Sequence, residues 1–325
     1  MRNKIIKVIL NSGQEFISGE ELSNELGISR TAVWKHIKKL KEEGYEIESV
    51  NKKGYRLVDF PGDVLNLENI NHSLNTKHIG KNIIHLSTID STNDYLKRIG
   101  NQENHGTVVI SEEQTKGKGR LGRQWESSAG EGIWMSILLK PDMVPYKAPF
   151  ITLITGVAIV NALSKLNINV NIKWPNDIII NNKKICGILT ELSAEIERIN
   201  YIVVGVGINV KNMNFPSDLD KKATSLYKEK YIVSRVDIVK GILDEFENLY
   251  DDYIENNNKE TVLDLCRQYS NIINKEVYMI KGEEKELVTC IDINNEGNLL
   301  VKDSEGQIKE IISGEVSIRG IKGYI

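Results

Sequence analysis

Seventeen consecutive residues, Ala148 to Ser164, carry no charged side chain apart from Lys147 and Lys165 at their borders, so this stretch must either cross a membrane or be enclosed by a core. Its length is at the lower limit for a spanning helix, and it contains Pro149, Thr152, Thr155, Gly156 and Asn161. The reading is a buried helix with Pro149 in its first turn. At 40% hydrophobic and 27% charged over 325 residues, the composition is that of a soluble globular protein with room for two or three domains. Collagen, disorder and low complexity are excluded by 6 prolines and 25 glycines without a repeat. The N-terminus has a basic start but only a short apolar stretch and no small-residue cleavage site, so no signal peptide is expected. Cys186, Cys266 and Cys290 lie far apart and form no CxxC pair, which points away from disulfides and zinc and toward a cytoplasmic location.

A net charge of −3 does not mark the whole molecule as a polyanion binder, but Ile28 to Arg56 holds eight Lys or Arg against four Glu. Ile5, Ile6, Val8 and Ile9 recur at helical spacing. Ser18 with Glu21 forms a capping box ahead of Leu22 and Leu26, and Gly27 ends that helix. Ser29 caps a third helix with the stripe Val33, Ile37 and Leu40, stopped by Gly44. Tyr45 to Val50 and Tyr55 to Val58 then alternate around Asn51-Lys52-Lys53-Gly54. Residues 1–63 therefore read as a winged helix-turn-helix, ending in a linker around Phe60-Pro61-Gly62-Asp63. With the stripe inward, Arg30, Thr31, Trp34, Lys35 and Lys38 lie toward the other side, where they can meet base edges and phosphates, and Lys52 and Lys53 on the wing would add phosphate contacts. Solvated lysines are the bland alternative; an outward Trp beside a basic hairpin tip favours DNA.

Residues 64–270 mix strands and helices in an α+β or α/β pattern. Strands are expected at Ile83 to Leu86, Thr107 to Glu112, Gly132 to Leu139, Val170 to Lys173, Ile178 to Ile180, Ile185 to Leu192 and Tyr201 to Asn209. Helices are expected at Thr92 to Ile99, Pro149 to Leu166 and Val236 to Glu255. Gly117-Lys118-Gly119-Arg120-Leu121-Gly122 fits GxGxxG, but Arg123 to Gly132 is polar and lacks a helical stripe, so the dinucleotide reading fails. Lys116, Lys118, Arg120 and Arg123 among three glycines instead suit a phosphate on which charge develops. In Lys173-Trp174-Pro175-Asn176-Asp177 the proline is expected to extend Trp174 and expose Asn176 and Asp177 in a turn, where they can hold Mg²⁺ completed by nucleotide phosphates and water. Lys184 followed by Gly187 suits an anion lying against the backbone; an ordinary hairpin lysine is the alternative. Strand periodicity puts Gly205, Gly207 and Asn209 on one face, bare enough for a flat ligand or for close helix packing.

Ser91-Thr92-Asn93, the Gly117 to Trp125 loop, Lys173 to Asp177, Lys184 to Gly187 and Gly205 to Asn209, in this order and spacing, resemble the biotin protein ligases. The front domain makes the chain similar to the bifunctional kind that is also the biotin operon repressor. The resemblance implies an α+β multidomain protein with a central mixed α/β domain of the biotin/lipoate ligase type. It implies that Ser91, Thr92, Asn93 and Gln114 hydrogen-bond the biotin rings, with Gly117, Lys118, Gly119 and Arg120 closing over them and Gly187 in the same site. Lys184 then bridges the biotin carboxylate and the α-phosphate of ATP, and Lys184, Arg120 and Arg123 are the catalytic set. Trp125, Asn176, Gly205, Gly207 and Asn209 seat the adenylate, and Asp177 holds Mg²⁺. The implied partners are the biotin carboxyl carrier protein of acetyl-CoA carboxylase, operator DNA and, with biotinyl-5′-AMP bound as corepressor, a second copy in a homodimer; no membrane is implied. The family commonly reads Gly-Arg-Gly-Arg where this chain has Gly117-Lys118-Gly119-Arg120. Lysine keeps the charge without the planar fork, so residue 118 is expected to act through its backbone.

From Asn271 short strands at Glu276 to Ile280, Leu287 to Ile293, Asn298 to Lys302, Ile308 to Ile312 and Glu315 to Ile318 predict a small β-barrel. By resemblance, residues 271–325 are the family's SH3-like domain, in which Gly314 to Arg319 brings Arg319 to the nucleotide; a structural arginine is the alternative. Two other functions stay open. A ligand-gated transcription factor without turnover would not need Lys184, Arg120 and Asp177, and a ligase with a nonregulatory front domain would not need Trp34 and the basic wing.

Overall fold

The computed structural model describes residues 1–325 except 13, 14, 43, 60–64, 66, 72, 73, 218, 314, 315, 322, 323 and 325. The expected linker at Phe60 to Asp63, Glu43 and the Gly314-Glu315 start of the last motif lie outside the described residues. The chain forms two compact units, Met1–Ser73 with Ser234–Val236, and Leu74–Val233 with Asp237–Ile325.

The first unit runs α1 (Arg2–Asn11), α2 (Gly19–Leu26), α3 (Arg30–Glu42), β1 (Glu46–Val50), β2 (Gly54–Asp59) and α4 (Leu67–Asn71). Ser18 and Glu21 make the reciprocal capping box, and Gly27 closes α2 in the left-handed region at φ 65°. Ile5, Ile9, Leu22, Val33, Ile37, Leu40 and Ile47 form one core, which needs the α1 and α3 stripes to face each other. β1 and β2 pair antiparallel from Val50↔Gly54. Tyr55 exchanges two backbone hydrogen bonds with Ile17, so the segment before α2 adds to the wing. Gly54 sits at φ +114°, and a Cβ there would lie 2.0 Å from the Ile17 carbonyl oxygen, so this turn requires glycine.

The second unit continues with β3 (Ile83–Leu86), α5 (Thr92–Ile99), β4 (Val108–Ser111), β5 (Gly132–Leu139), α6 (Pro149–Lys165), β6 (Asn171–Lys173), β7 (Asp177–Ile180), β8 (Lys183–Ala194), β9 (Ile199–Asn209), α7 (Arg235–Asn256), whose first two residues belong to the first unit, and α8 (Glu260–Gln268). Its seven-stranded mixed sheet has the order β3-β4-β5-β9-β8-β7-β6. Leu96 of α5 packs with Val109, Leu138 and Val203 on one face. The opposite face carries α6, whose Gly156 lies among Ile172, Ile178 and Ile188, while Ala162 meets Gly241 of α7. Enclosed in this way, α6 buries every residue from Phe150 to Val160, which is why its sequence has no polar face. By length and composition it could cross a membrane, yet 78% of its apolar window is buried inside the protein. Helix α8 was not expected; its short amphipathic pattern buries Val262, Leu263 and Cys266.

The end of the chain adds β10 (Glu276–Lys281), β11 (Glu284–Ile293), β12 (Leu299–Lys302), β13 (Ile308–Ile311) and β14 (Ser317–Gly320). They form an antiparallel sheet in the order β13-β12-β11-β10-β14. The expected barrel is not closed: among the described residues β13 and β14 remain separate edges.

Candidate active site

The strand register lays a floor of small residues across the face that carries α5. Ser136 of β5, Gly205 of β9 and Leu189 of β8 stand in one row, and Trp134, Gly207 and Gly187 in the next. The glycines make room for two particular side chains. A Cβ on Gly205 would fall 2.2 Å from Asn93 Oδ1, and one on Gly207 would fall 2.5 Å from Trp125 Nε1. Trp125 therefore lies over the Gly187–Gly207 pair, and its buried indole N–H has no hydrogen-bond partner among the described residues. An orphaned donor of this kind costs about 1–3 kcal/mol, which an acceptor on a ligand would relieve.

Trp125 is carried by the glycine-rich loop, which folds back on itself as a narrow hairpin: Gly119 N–H donates to Arg123 O at 2.7 Å and Trp125 N–H to Gly117 O at 2.9 Å. A one-turn 3-10 segment, Arg120–Gly122, forms the tip, and no dinucleotide-type helix succeeds it. Lys118 is tied by its ammonium to Asp94 in the first turn of α5, at 2.7 Å. Arg123 is exposed.

Beneath the loop is a narrow slot of about 40 Å³ lined by residues including Ser91, Thr92, Asn93, Gln114, Lys118, Arg120, Lys184 and Gly187. Its polar groups are organised by the protein itself. Ser91 caps α5. Gln114 Oε1 accepts from Thr92 N–H at 2.8 Å and Thr92 Oγ1–H at 3.0 Å. Asn93 Nδ2 donates to Leu189 O and to Glu191 at 2.8 Å. Ser136, absent from the sequence-based set, is fully buried with Oγ 2.7 Å from Thr92 Oγ1 and 2.6 Å from Asn93 Oδ1. A lone hydroxyl in the apolar run Gly132–Leu139 was the signal for it.

Arg120, Trp125, Asn176 and Lys184 separate this slot from a second cavity of about 410 Å³. Asp177 is buried at the first position of β7 rather than exposed in a turn, because it is paired with Lys173 of β6 and Gly187 of β8 and covered by Tyr324. The Trp174–Pro175 bond preceding it is cis. Lys184 Nζ meets Asp177 Oδ1 at 2.5 Å and lies 5.0 Å from the Trp125 ring. A register shift after Ile178 pairs Ile179 with Lys184 and Ile178 with Cys186. This bulge lets Lys184 and Gly187, three apart in sequence, serve the same site. Burial opposes charge on Asp177, but Lys184 and Lys173, with a hydrogen bond from Tyr324, hold its carboxyl below the usual carboxylate value. Burial pushes the Lys173 ammonium down to about 7 against the attraction of Asp177.

Asn176 is fully engaged, accepting from Arg120 Nη1 at 2.8 Å and donating to Ile188 O at 2.9 Å, so it positions Arg120. Asn209 donates to Thr224 O at 3.1 Å while lining the larger cavity. Arg319 lines that cavity too, with its guanidinium 5.3 Å from the Tyr324 ring. Tyr324 and the buried Lys173 are wall residues to which the sequence pattern assigns no role.

In the first unit Arg30, Thr31, Trp34, Lys35 and Lys38 are all exposed along one side of α3. Trp34 is 54% exposed, and Lys38 Nζ lies 5.8 Å from its ring. Lys52 and Lys53 are exposed in the wing turn.

Models of three families match consecutive parts of the chain: an HTH domain at residues 2–56, the biotin/lipoate A/B protein ligase family at 86–209, and the biotin protein ligase C terminal domain at 272–319. The bifunctional ligase/repressor BirA of Bacillus spizizenii is 39% identical over 98% of both chains. The chain belongs to the family of bifunctional biotin ligase/repressors. Its Escherichia coli relative of the same name is 32% identical over 97% of this chain and 96% of its own. Among solved structures, a biotin protein ligase from Aquifex aeolicus in complex with biotin and ATP superposes with a TM-score of 0.64 at 31% identity, covering 74% of this chain and 99% of that one.

Proposed function

We propose that this chain activates biotin with ATP to biotinyl-5′-AMP, transfers biotin to a lysine of a biotin carboxyl carrier protein, and represses biotin synthesis or uptake genes in response to the adenylate. The observation that carries the enzymatic part is the Lys184–Asp177 pair at the junction of a small polar slot and a larger cationic cavity. Such a junction suits a carboxylate in the slot and a triphosphate in the cavity, held in line before reaction. A biotin carboxylate oxygen attacks the α-phosphorus of ATP, the bond to pyrophosphate breaks, and the mixed anhydride forms. The carrier lysine then attacks the acyl carbon and AMP leaves.

In this reading Ser91, Thr92, Asn93 and Gln114 hold the biotin rings, with Ser136 behind them fixing Thr92 and Asn93 and the backbone of Gly117 to Arg120 above them. Lys184 is shared by carboxylate and α-phosphate. Arg120 offsets charge as it develops, Arg123 reaches the phosphates from the rim, and Trp125, Asn209 and Arg319 border the nucleotide, while Gly205 and Gly207 lie on the slot side beneath Asn93 and Trp125. Asp177 would offer Mg²⁺ a single carboxylate, but its two oxygens are taken by Lys184 and Tyr324, so an ion completed by phosphates and water would have to displace one of these partners. Asn176 acts through Arg120.

Arg30, Thr31, Trp34, Lys35 and Lys38 form the DNA face, flanked by Lys52 and Lys53. The domain limits are 1–63, 64–270 and 271–325, the last an SH3-like fold left open between β13 and β14. Adenylate favours a homodimer that binds operator DNA, and the protein works in the cytoplasm. Pyrophosphate release on mixing biotin, ATP and Mg²⁺ with the protein tests the enzymatic reading; no release, with biotin bound, would leave a ligand-gated regulator.

A further inference from the structure

The larger cavity has one wall from β6, β7 and β8 and another from Val316–Arg319 and Tyr324. Tyr324 makes three contacts across it, and on its own wall its hydroxyl also accepts from the Arg319 side chain. Its hydroxyl donates to Asp177 Oδ2, its ring lies 3.5 Å from Lys173 Nζ, and its carbonyl oxygen accepts from the same ammonium at 3.1 Å. The residue is 8% exposed, so water competes weakly for these contacts. Asp177 thus has a neutral donor on one oxygen and Lys184 on the other. With the neutral donor removed, the Lys184 ion pair alone holds the carboxylate against the pull of Lys173, and Lys184 has a less firmly fixed partner.

We propose that Tyr324 is a positioning residue of the nucleotide site, holding Asp177 and Lys173 so that Asp177 keeps Lys184 aimed at the junction of slot and cavity. It acts through Asp177 and touches no reacting atom. This assignment rests on the adenylation reading.

The test is calorimetric binding of α,β-methylene-ATP, which resists attack at the α-phosphorus, to full-length protein saturated with biotin, with and without Mg²⁺. Tyr324→Phe keeps the ring and the backbone contact and removes only the hydroxyl. It should weaken analogue binding about tenfold, the scale of a hydrogen bond to a charged group, while biotin binding to the protein alone stays unchanged. In an Asp177→Asn background the same substitution should have no further effect. Unchanged analogue affinity in Tyr324→Phe would overturn the proposal, as would equal losses for biotin and analogue, or the full tenfold loss persisting beside Asp177→Asn. Failure of the native protein to bind the analogue would sink the adenylation reading itself, and this assignment with it.

Discussion

Gly205 and Gly207 differ in what an added methyl group would strike. At Gly205 it meets Asn93 Oδ1, and Asn93 is held by Ser136, Leu189 and Glu191, so nothing nearby can yield. At Gly207 it meets Trp125, which rides on a loop. Gly205→Ala should therefore lose about 1–3 kcal/mol of stability in urea unfolding, whereas Gly207→Ala should unfold much like the native protein but with a changed Trp fluorescence. Equal unfolding midpoints for the two would show that Asn93 is not fixed. Lys184 pairs with buried Asp177 and is proposed to act in catalysis, two roles that one substitution separates poorly. Lys184→Ala should abolish pyrophosphate release, and it should also lower stability by at most about 3 kcal/mol, because buried Asp177 loses its ion pair and keeps only Lys173 and the Tyr324 hydroxyl. Release at the native rate by a folded Lys184→Ala protein would remove Lys184 from the reaction.

His105 precedes β4 and accepts a hydrogen bond from Lys140 N–H at Nδ1, 3.0 Å away. Burial, and then the neighbouring His78, hold its imidazole below the ordinary value of 6.5 despite Glu247. Below that value the unfolded chain binds the proton and the folded one does not, so stability falls as pH drops through 6.5 toward the lowered folded value, then levels off. His105→Asn keeps an acceptor near Nδ1 but cannot titrate; its melting temperature should fall less than the native protein's between pH 7.5 and 5.5. An identical fall would place the acid sensitivity elsewhere. Elements on this scale were legible where local chemistry fixes them: the α2 capping box, the wing turn at Gly54 and the uncharged α6 are all written in the sequence. What escaped depends on contacts between distant segments. The bulge at Lys184 is set by pairing with β7, α8 has only three buried residues to announce it, and the burial of Asp177 needs a tyrosine from the end of the chain. The barrel was expected from strand spacing alone, which does not report whether the outer strands meet.

Repression requires that ligand occupancy in the second unit change DNA affinity in the first, and a ligand does this only if it binds the DNA-competent form better than the other. On the proposed DNA face the basic wing would supply affinity through phosphates, so DNA binding without ligand should be weak and steeply salt-dependent, and Lys52→Ala with Lys53→Ala should flatten that salt slope without changing sequence preference. Trp34 sits on the exposed side of α3; as a member of the proposed DNA face that would read bases, its replacement in Trp34→Ala should reduce discrimination between operator and random DNA. The decisive measurement is a gel shift with DNA upstream of biotin synthesis or uptake genes, comparing protein alone, with biotin, and with biotin, ATP and Mg²⁺. The strongest shift is expected only with both substrates present. Lys184→Ala should keep the weak basal shift and lose the strengthening, because its front unit is intact while the adenylate is not made. Adding preformed biotinyl-5′-AMP separates synthesis from response: if it restores the shift in Lys184→Ala, the lysine serves chemistry alone. If substrates strengthen the shift of native protein and Lys184→Ala alike, DNA binding does not depend on the adenylate, and the coupling runs through biotin occupancy.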